Sequence, residues 1–549
     1  MSQSSLKNPI LGLNTLNYSM GVLYFLLWAM HLFKLIIFIL ILHQIFINRY
    51  LVTFLYSIIF YMPRDLRDFI ENLSNNAPSE IVVIDKEVDP TWEATSVARK
   101  LQSEGEYPLL LFNNVLGSSH RLVTNVHATR TKLAYGLESP HIEPRKLLKR
   151  YIELTNKPAK PILIDNKDAP VKQNIKTGTD VDLTELPLVQ HNELDNGLYI
   201  DAGILWVFDE ETQTYNAGIY RHQLHEKNLL GVYAGAGQHL AHLMRNAEST
   251  NKPLEVAITV GTHPYITIGS TTRIDREADE LDAISGLINE AVGEPMKTVQ
   301  CETVDLQVPA NSEFVIEGKI LPNVLRTEGP FGEYPWTYGP SRNNRVIEVT
   351  AICHRNDPIH ETIFAAHPDH NLCGVLGVER QLYERVNRVS RVHEVRMPMH
   401  GCCRFTGFIS INKEVDGEGK YAVLAGLAAD HFLKNVIVVD NDIDIFNDEE
   451  VLWALWSRTH MDRDAVIIPH SFADPLVPST YTADQLETRR TNFDDEIVDV
   501  AYLPNPDTLD TKFGVNATKP VTTQWPKRPE PPEAWKDIDL ASYIDGWTK

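Results

Sequence analysis

The stretch EGPFGEYPW at 328–336 places two carboxylic acids, Glu328 and Glu333, around a Gly-Pro turn, with Phe331, Tyr334 and Trp336 beside them. Two carboxyl groups held close under aromatic cover can be driven apart in acidity, one staying ionised and the other keeping a proton to deliver. A solvated acidic turn accounts for the same residues and is the commoner origin of such spacing. Arg221, in YNAGIYR, carries a fixed charge on a planar fork that matches a carboxylate. If the turn meets that arginine, one acid orients it and the other acts as general acid in a pocket dried by the aromatics.

A second group of polar residues lies in otherwise apolar sequence. Residues 215–243 carry Asn216, Arg221, His222, His225, Gln238 and His239, and 268–288 carry Asp279, Glu280 and Asp282. GAGQ at 235–238 is a small-residue loop ahead of a helical run, where a helix N-terminus can receive phosphate. Asn216, His239 and Glu280 together offer an amide oxygen, an imidazole and a carboxylate, a set suited to Mn²⁺ or Mg²⁺. The three are far apart in sequence, and a charged, capped helix start explains the acids of 279–282 equally well.

The elements that must position these residues alternate along the chain. PLLLF (108–112), EVAITVG (255–261), FVIEGKIL (314–321), RVIEVTAICHR (345–355) and NVIVVDNDIDIF (435–446) read as strands, rich in β-branched residues or alternating with period two. In MPRDLRDFIENL, Leu66, Phe69, Ile70 and Leu73 mark one helical face. In 374–392, Leu376, Val378, Leu382, Val386 and Val389 predict a linker helix. DEEVLWALWSR (448–458) opens with acids, as the helix dipole prefers. The fold class expected is mixed α/β: an N-terminal α/β domain over 62–175, a β-rich domain over 176–356, a C-terminal α/β domain over 374–505, and a Pro-rich tail, 506–549, wrapping the surface.

Bulk composition narrows the function. The 549 residues carry a formal net charge of −22, and no basic stripe offsets it, which argues against nucleic-acid binding. Five cysteines with no CxxC spacing fit a reduced, cytoplasmic protein and neither a disulfide framework nor a zinc site. Residues 1–61 differ: they contain no Asp or Glu, and 20–46 is apolar enough to span a bilayer but for His31 and Lys34. Three readings stand: a membrane anchor, a peripheral hairpin, or translated upstream sequence absent from the mature protein. The last is preferred, because composition changes abruptly at Met62, which could itself initiate.

Taken in order, PLLLFNNVLGS, YNAGIYR, GAGQHLAHL, the acids ending at Glu280, EGPFGEYPWTYGPSR and VIVVDNDIDIFNDEEVLWALWSR resemble the UbiD family of prenylated-FMN-dependent (de)carboxylases. The resemblance implies a central split β-barrel domain that binds prenylated FMN. The cofactor-binding positions would be Asn216, Ile219, Arg221, Gln238, His239 and Glu280, of which Asn216, His239 and Glu280 would hold a divalent ion, usually Mn²⁺. Ser270 and the backbone near Ala217, Gly269 and Thr272 would line a K⁺ site. The implied catalytic set is Arg221, Glu328 and Glu333, with Glu333 as proton donor, Arg221 on the substrate carboxylate and Glu328 positioning Arg221. The implied reaction is reversible non-oxidative decarboxylation of an aromatic or heteroaromatic acid through a covalent cofactor adduct. A flavin prenyltransferase would supply the cofactor, and the C-terminal domain would assemble dimers or hexamers. His367 and His370, in AAHPDHNLCGVLG, could meet a second polar substrate group or sit in a hydrated loop. Other readings are a 3-polyprenyl-4-hydroxybenzoate decarboxylase, a membrane-tethered non-catalytic flavoprotein, and a plain FMN reductase.

Overall fold

The computed structural model describes residues 64–235, 237–474, 476–480, 509–529 and 537–544. Contacts divide the chain into Met1–Pro63 and Arg64–Lys549. The apolar segment expected to anchor or to be removed lies outside the described residues. Among the described residues, no helix is long and apolar enough to cross a membrane.

The first described helix, Leu66–Asn76, starts where its sequence dictates. Asp65 accepts from the backbone of Arg67 and Asp68, and the Asp68 side chain returns the bond in a capping box. Leu66, Phe69 and Leu73 are buried against Leu109, Leu111 and Val123 of a four-stranded sheet. That sheet runs Ile81–Ile84, Leu109–Phe112, Arg121–Thr124 and Ile359–Glu361. Its last strand arrives from beyond the middle region and pairs parallel with Arg121–Val123.

The middle region is a nine-stranded sheet. Its path runs Tyr199–Ile200, His222–Glu226, Leu229–Val232, Arg342–His354, Phe314–Glu328, Leu254–Val260, Ile204–Asp209 and Thr214–Ile219, with Asn174–Thr177 pairing Arg342–His354 to the side. Antiparallel pairing dominates, and no pairing among the described strands joins the two ends of the path. Helices His239–Thr250 and Glu280–Val292 pack against it.

The C-terminal sheet orders Val392–Arg396, Thr406–Ile411, Asn435–Asp440, Leu509–Asn516 and Ala465–Phe472. Leu509–Asn516 falls within the expected tail, yet it lies between two strands, parallel to one and antiparallel to the other. The proline-rich stretch downstream dominates that region's composition and hides the apolar positions Phe513 and Val515, which sit at the period of a strand. The linker helix is Val375–Val386, and Val389 lies past its end, exposed. Residues 368–373 form a short helix rather than a hydrated loop, because His367 caps it and Pro368 fits its first turn. Helix Asp448–Arg458 has the bounds its sequence predicts. All five cysteines are buried and free.

Candidate active site

One cavity of about 880 Å³ gathers residues from the middle sheet, its helices and the C-terminal region. Arg221 follows strand Thr214–Ile219 and is almost fully buried on its wall. Its Nε and Nη2 donate to the two Glu328 oxygens at 2.9 Å each. Its Nη1 meets Glu333. Tyr233 and Phe331 lie against the guanidinium, with ring centroids 4.6 and 5.1 Å from its central carbon. Burial works against the charge, and Glu328 more than offsets it, so the Arg221 pKa rises. The arginine and the two acids expected to meet it are thus in direct contact.

The sheet explains how. Glu328 ends one long strand and pairs with Arg342, which begins the next. Asn344, two residues on, donates to Glu328 Oε2 at 2.7 Å. Glu328 therefore takes three hydrogen bonds, whereas Glu333 sits on the connecting segment with Arg221 as its charged neighbour. A Cβ at Gly332 would lie 2.4 Å from Asn192 Nδ2, so a larger residue there would have to push that side chain aside. Of the three expected aromatics, Phe331 and Tyr334 are buried, while Trp336, in the left-handed region at a φ of 64°, is half exposed.

The second cluster lies on the same wall. Asn216 and Glu280 touch, Nδ2 donating to Oε2 at 3.1 Å, and the Ala217 N–H also donates to Glu280. Asp279 caps the Glu280–Val292 helix through the Asp282 N–H and also accepts from the Tyr215 N–H, which ties the helix start to strand Thr214–Ile219. Burial pushes the Glu280 carboxyl up to about 8. The Asn216 Oδ1 is buried without a hydrogen-bond partner. His239 opens the helix His239–Thr250 and lines the cavity, with Nε2 3.0 Å from Asp209. An orphaned amide oxygen, a desolvated carboxyl and an oriented imidazole suit a divalent cation with oxygen and nitrogen ligands. Gln238 bends back to accept from the Gly235 N–H at 2.7 Å, closing the loop ahead of that helix.

Ile219 and Gln238 line the cavity as expected, as do Ala217, Ser270 and Thr272. Gly269 is packed on Ile284. His222 is buried in the sheet away from the cavity, and burial lowers its pKa to about 3. Asp282 pairs with Lys160 at 2.7 Å and serves the helix start, not the cavity. His370 faces the cavity; His367 is buried and stacks on Phe364 instead. Sequence reasoning missed Asp209, Tyr233 and Asn344. Asn344 carried a faint signal, a polar residue where an apolar strand begins.

Three family models match the chain. They describe the N-terminal domain (residues 76–154), the Rift-related domain (163–368) and the C-terminal domain (373–494) of 3-octaprenyl-4-hydroxybenzoate carboxy-lyase. Anhydromevalonate phosphate decarboxylase of Methanothermobacter thermautotrophicus is 31% identical over 83% of this chain and 97% of its own length. Phenolic acid decarboxylase of Sedimentibacter hydroxybenzoicus is 31% identical over 86% and 94%. The UbiD-class enzyme HmfF of Pelotomaculum thermopropionicum, solved with FMN, is 32% identical with a TM-score of 0.77, covering 88% of this chain and 100% of its own. An evolved dimeric form of it, solved with prFMN, is 31% identical with a TM-score of 0.73 over the same shares. Fold and site together define a carboxy-lyase. The chain belongs to the UbiD family.

Proposed function

We propose that this chain decarboxylates an aromatic or heteroaromatic carboxylic acid with the help of prenylated FMN. The observation that carries the reading is a buried guanidinium held by two carboxyl groups, on the wall of a cavity that also bears the Asn216–Glu280 pair. Loss of CO₂ from an sp² carbon leaves an in-plane electron pair with nowhere to go, and the modified flavin supplies the sink when bound.

The chain's residues do the rest. Asn216, His239 and Glu280 would hold a divalent ion against the cofactor phosphate, with Gln238 and Ile219 lining its seat and a monovalent ion near Ser270. Arg221 has five N–H groups; Nε and Nη2 each spend one on Glu328, and Nη1 faces Glu333 without a hydrogen bond. The N–H groups left over would meet a substrate carboxylate. Glu328 fixes the fork and is itself held by Asn344, so it orients rather than reacts. Glu333, less heavily bonded, delivers the proton to the carbon that CO₂ leaves. Phe331 and Tyr334 keep water away from that transfer. Neither a plain flavin reductase nor a non-catalytic tether gives a reason for two acids on one arginine.

Assembly into dimers or hexamers and cofactor supply by a flavin prenyltransferase belong to the same reading. The test is co-expression with such a prenyltransferase, a mass spectrum of the bound cofactor, and a screen of aromatic acids for CO₂ release. Glu333→Gln is expected to lower turnover by about 10²–10⁴-fold, the usual weight of a general acid, with flavin still bound. Undiminished turnover in that variant would remove the acid from the mechanism.

A further inference from the structure

The Glu333 carboxyl meets Arg221, while its backbone N–H donates to the Thr337 carbonyl and its carbonyl accepts from the Trp336 N–H, each at 2.9 Å, so its reach depends on how this turn is anchored by the residues on either side. On one side, the Gly332 N–H donates to Asp195 Oδ1 at 2.7 Å. On the other stands Tyr334, whose hydroxyl donates to Asp474 Oδ2 at 2.8 Å. The Tyr334 carbonyl accepts from Asn371 Nδ2 at 3.2 Å, and its ring packs between Phe405 and Phe432, with centroids 5.6 and 5.8 Å away. Asp474 follows the C-terminal strand Ala465–Phe472, and its other oxygen takes the Leu476 N–H at 2.8 Å. Tyr334 and Asp474 are 7% and 9% exposed.

Filling this space needs only a ring. A phenylalanine at 334 with an apolar residue at 474 would fill it equally well and would spare the cost of burying a carboxyl group. Burial raises the Asp474 pKa, and the Tyr334 bond opposes the shift. A buried hydroxyl–carboxylate pair of this kind fixes direction, and here it fixes the residue next to Glu333. We propose that Tyr334 and Asp474 are positioning residues for the proton donor: a segment of the C-terminal region sets the reach of Glu333 through the side chain that follows it. The inference rests on the decarboxylase reading of the site.

The test uses the cofactor-loaded full chain. Tyr334→Phe and Asp474→Ala are each expected to lower kcat about tenfold or more, since a misplacement of an ångström at a reacting group has effects of that size. KM and flavin content should stay within about twofold, and the solvent deuterium isotope effect on kcat should rise, because proton delivery becomes the slow step. The double variant should be no worse than Asp474→Ala alone, since both changes remove the Tyr334–Asp474 bond. Asp474→Asn, whose amide oxygen can accept from the Leu476 N–H while its NH2 donates to the Tyr334 oxygen, should recover most of the rate. A crystal structure of Tyr334→Phe should show Glu333 displaced from Arg221. The proposal is overturned if Tyr334→Phe keeps kcat within about twofold of the parent, if the two losses multiply, or if Glu333 stays on Arg221 in that crystal structure. If Glu333→Gln is also fully active, the decarboxylase reading itself falls; if Glu333→Gln is inactive and Tyr334→Phe is normal, only this inference does.

Discussion

A guanidinium serving two carboxyl groups and packed between two rings has no conservative replacement. Lysine offers a point charge without the fork or the flat face that Tyr233 and Phe331 cover. Arg221→Lys is therefore expected to reduce kcat/KM about a hundredfold, the scale of losing a preorganised electrostatic partner, and steady-state kinetics on the loaded enzyme would check it. A loss under threefold would show that charge alone suffices. Arg221, Glu328 and Glu333 were legible in the sequence because EGPFGEYPW and YNAGIYR occur in family order, not because anything local joins residues 107 apart. Tyr233 and Asp209 were not legible, and Asn344 only faintly, since each acts on a partner from another segment and leaves no periodic trace. Trp336 was misread as cover because its left-handed backbone cannot be inferred from an aromatic residue, which seldom adopts it.

At the scale of elements, the start of helix Glu280–Val292 carries the site. Asp279 accepts from its own helix and from strand Thr214–Ile219, so it fixes both members of the Asn216–Glu280 pair. Asp279→Ala is expected to reduce stability by about 1–2 kcal/mol, the usual range for a lost N-cap, and to weaken Mn²⁺ binding at the proposed Asn216–His239–Glu280 site. Urea unfolding and metal titration would measure the two effects. Unchanged metal affinity would detach the cap from the site. This helix was visible as an acidic start ahead of an apolar run, and the strands at 254–260 and 342–354 were visible from β-branching and alternation. The strand Leu509–Asn516 was not, because its pairing partners are distant and prolines dominate the sequence around it.

For the molecule as a whole, burial of histidine sets a limit on acid tolerance. His127 is fully buried, neither ring nitrogen has a hydrogen-bond partner, and burial holds its pKa down to about 3. The folded pKa lies below the unfolded value near 6.5, so unfolding takes up a proton between those pH values. The stability tied to a neutral His127 is present above about pH 6.5 and is lost progressively as pH falls towards 3. At pH 4 the loss is about 3 kcal/mol, from 1.36 kcal/mol per pH unit of separation. His127→Phe should flatten this part of the stability–pH curve, and a slope unchanged between pH 6 and 4 would contradict it. The mixed α/β class was readable from composition and period, whereas the return of Ile359–Glu361 to the first sheet was not, since three residues carry too little pattern.

The long pair of strands Phe314–Glu328 and Arg342–His354 behaves as a boom that carries Glu333 beyond its far end. Its register is irregular between Glu317 and Gly318 and between Ile320 and Leu325, so two joints lie between the sheet centre and the tip. A slip of one residue at either joint would turn Glu328 to the opposite face, away from Arg221. Small errors near the middle of that boom would therefore be magnified at its end, and substitutions well away from the cavity, around 317–325, become the ones best able to silence it without touching it.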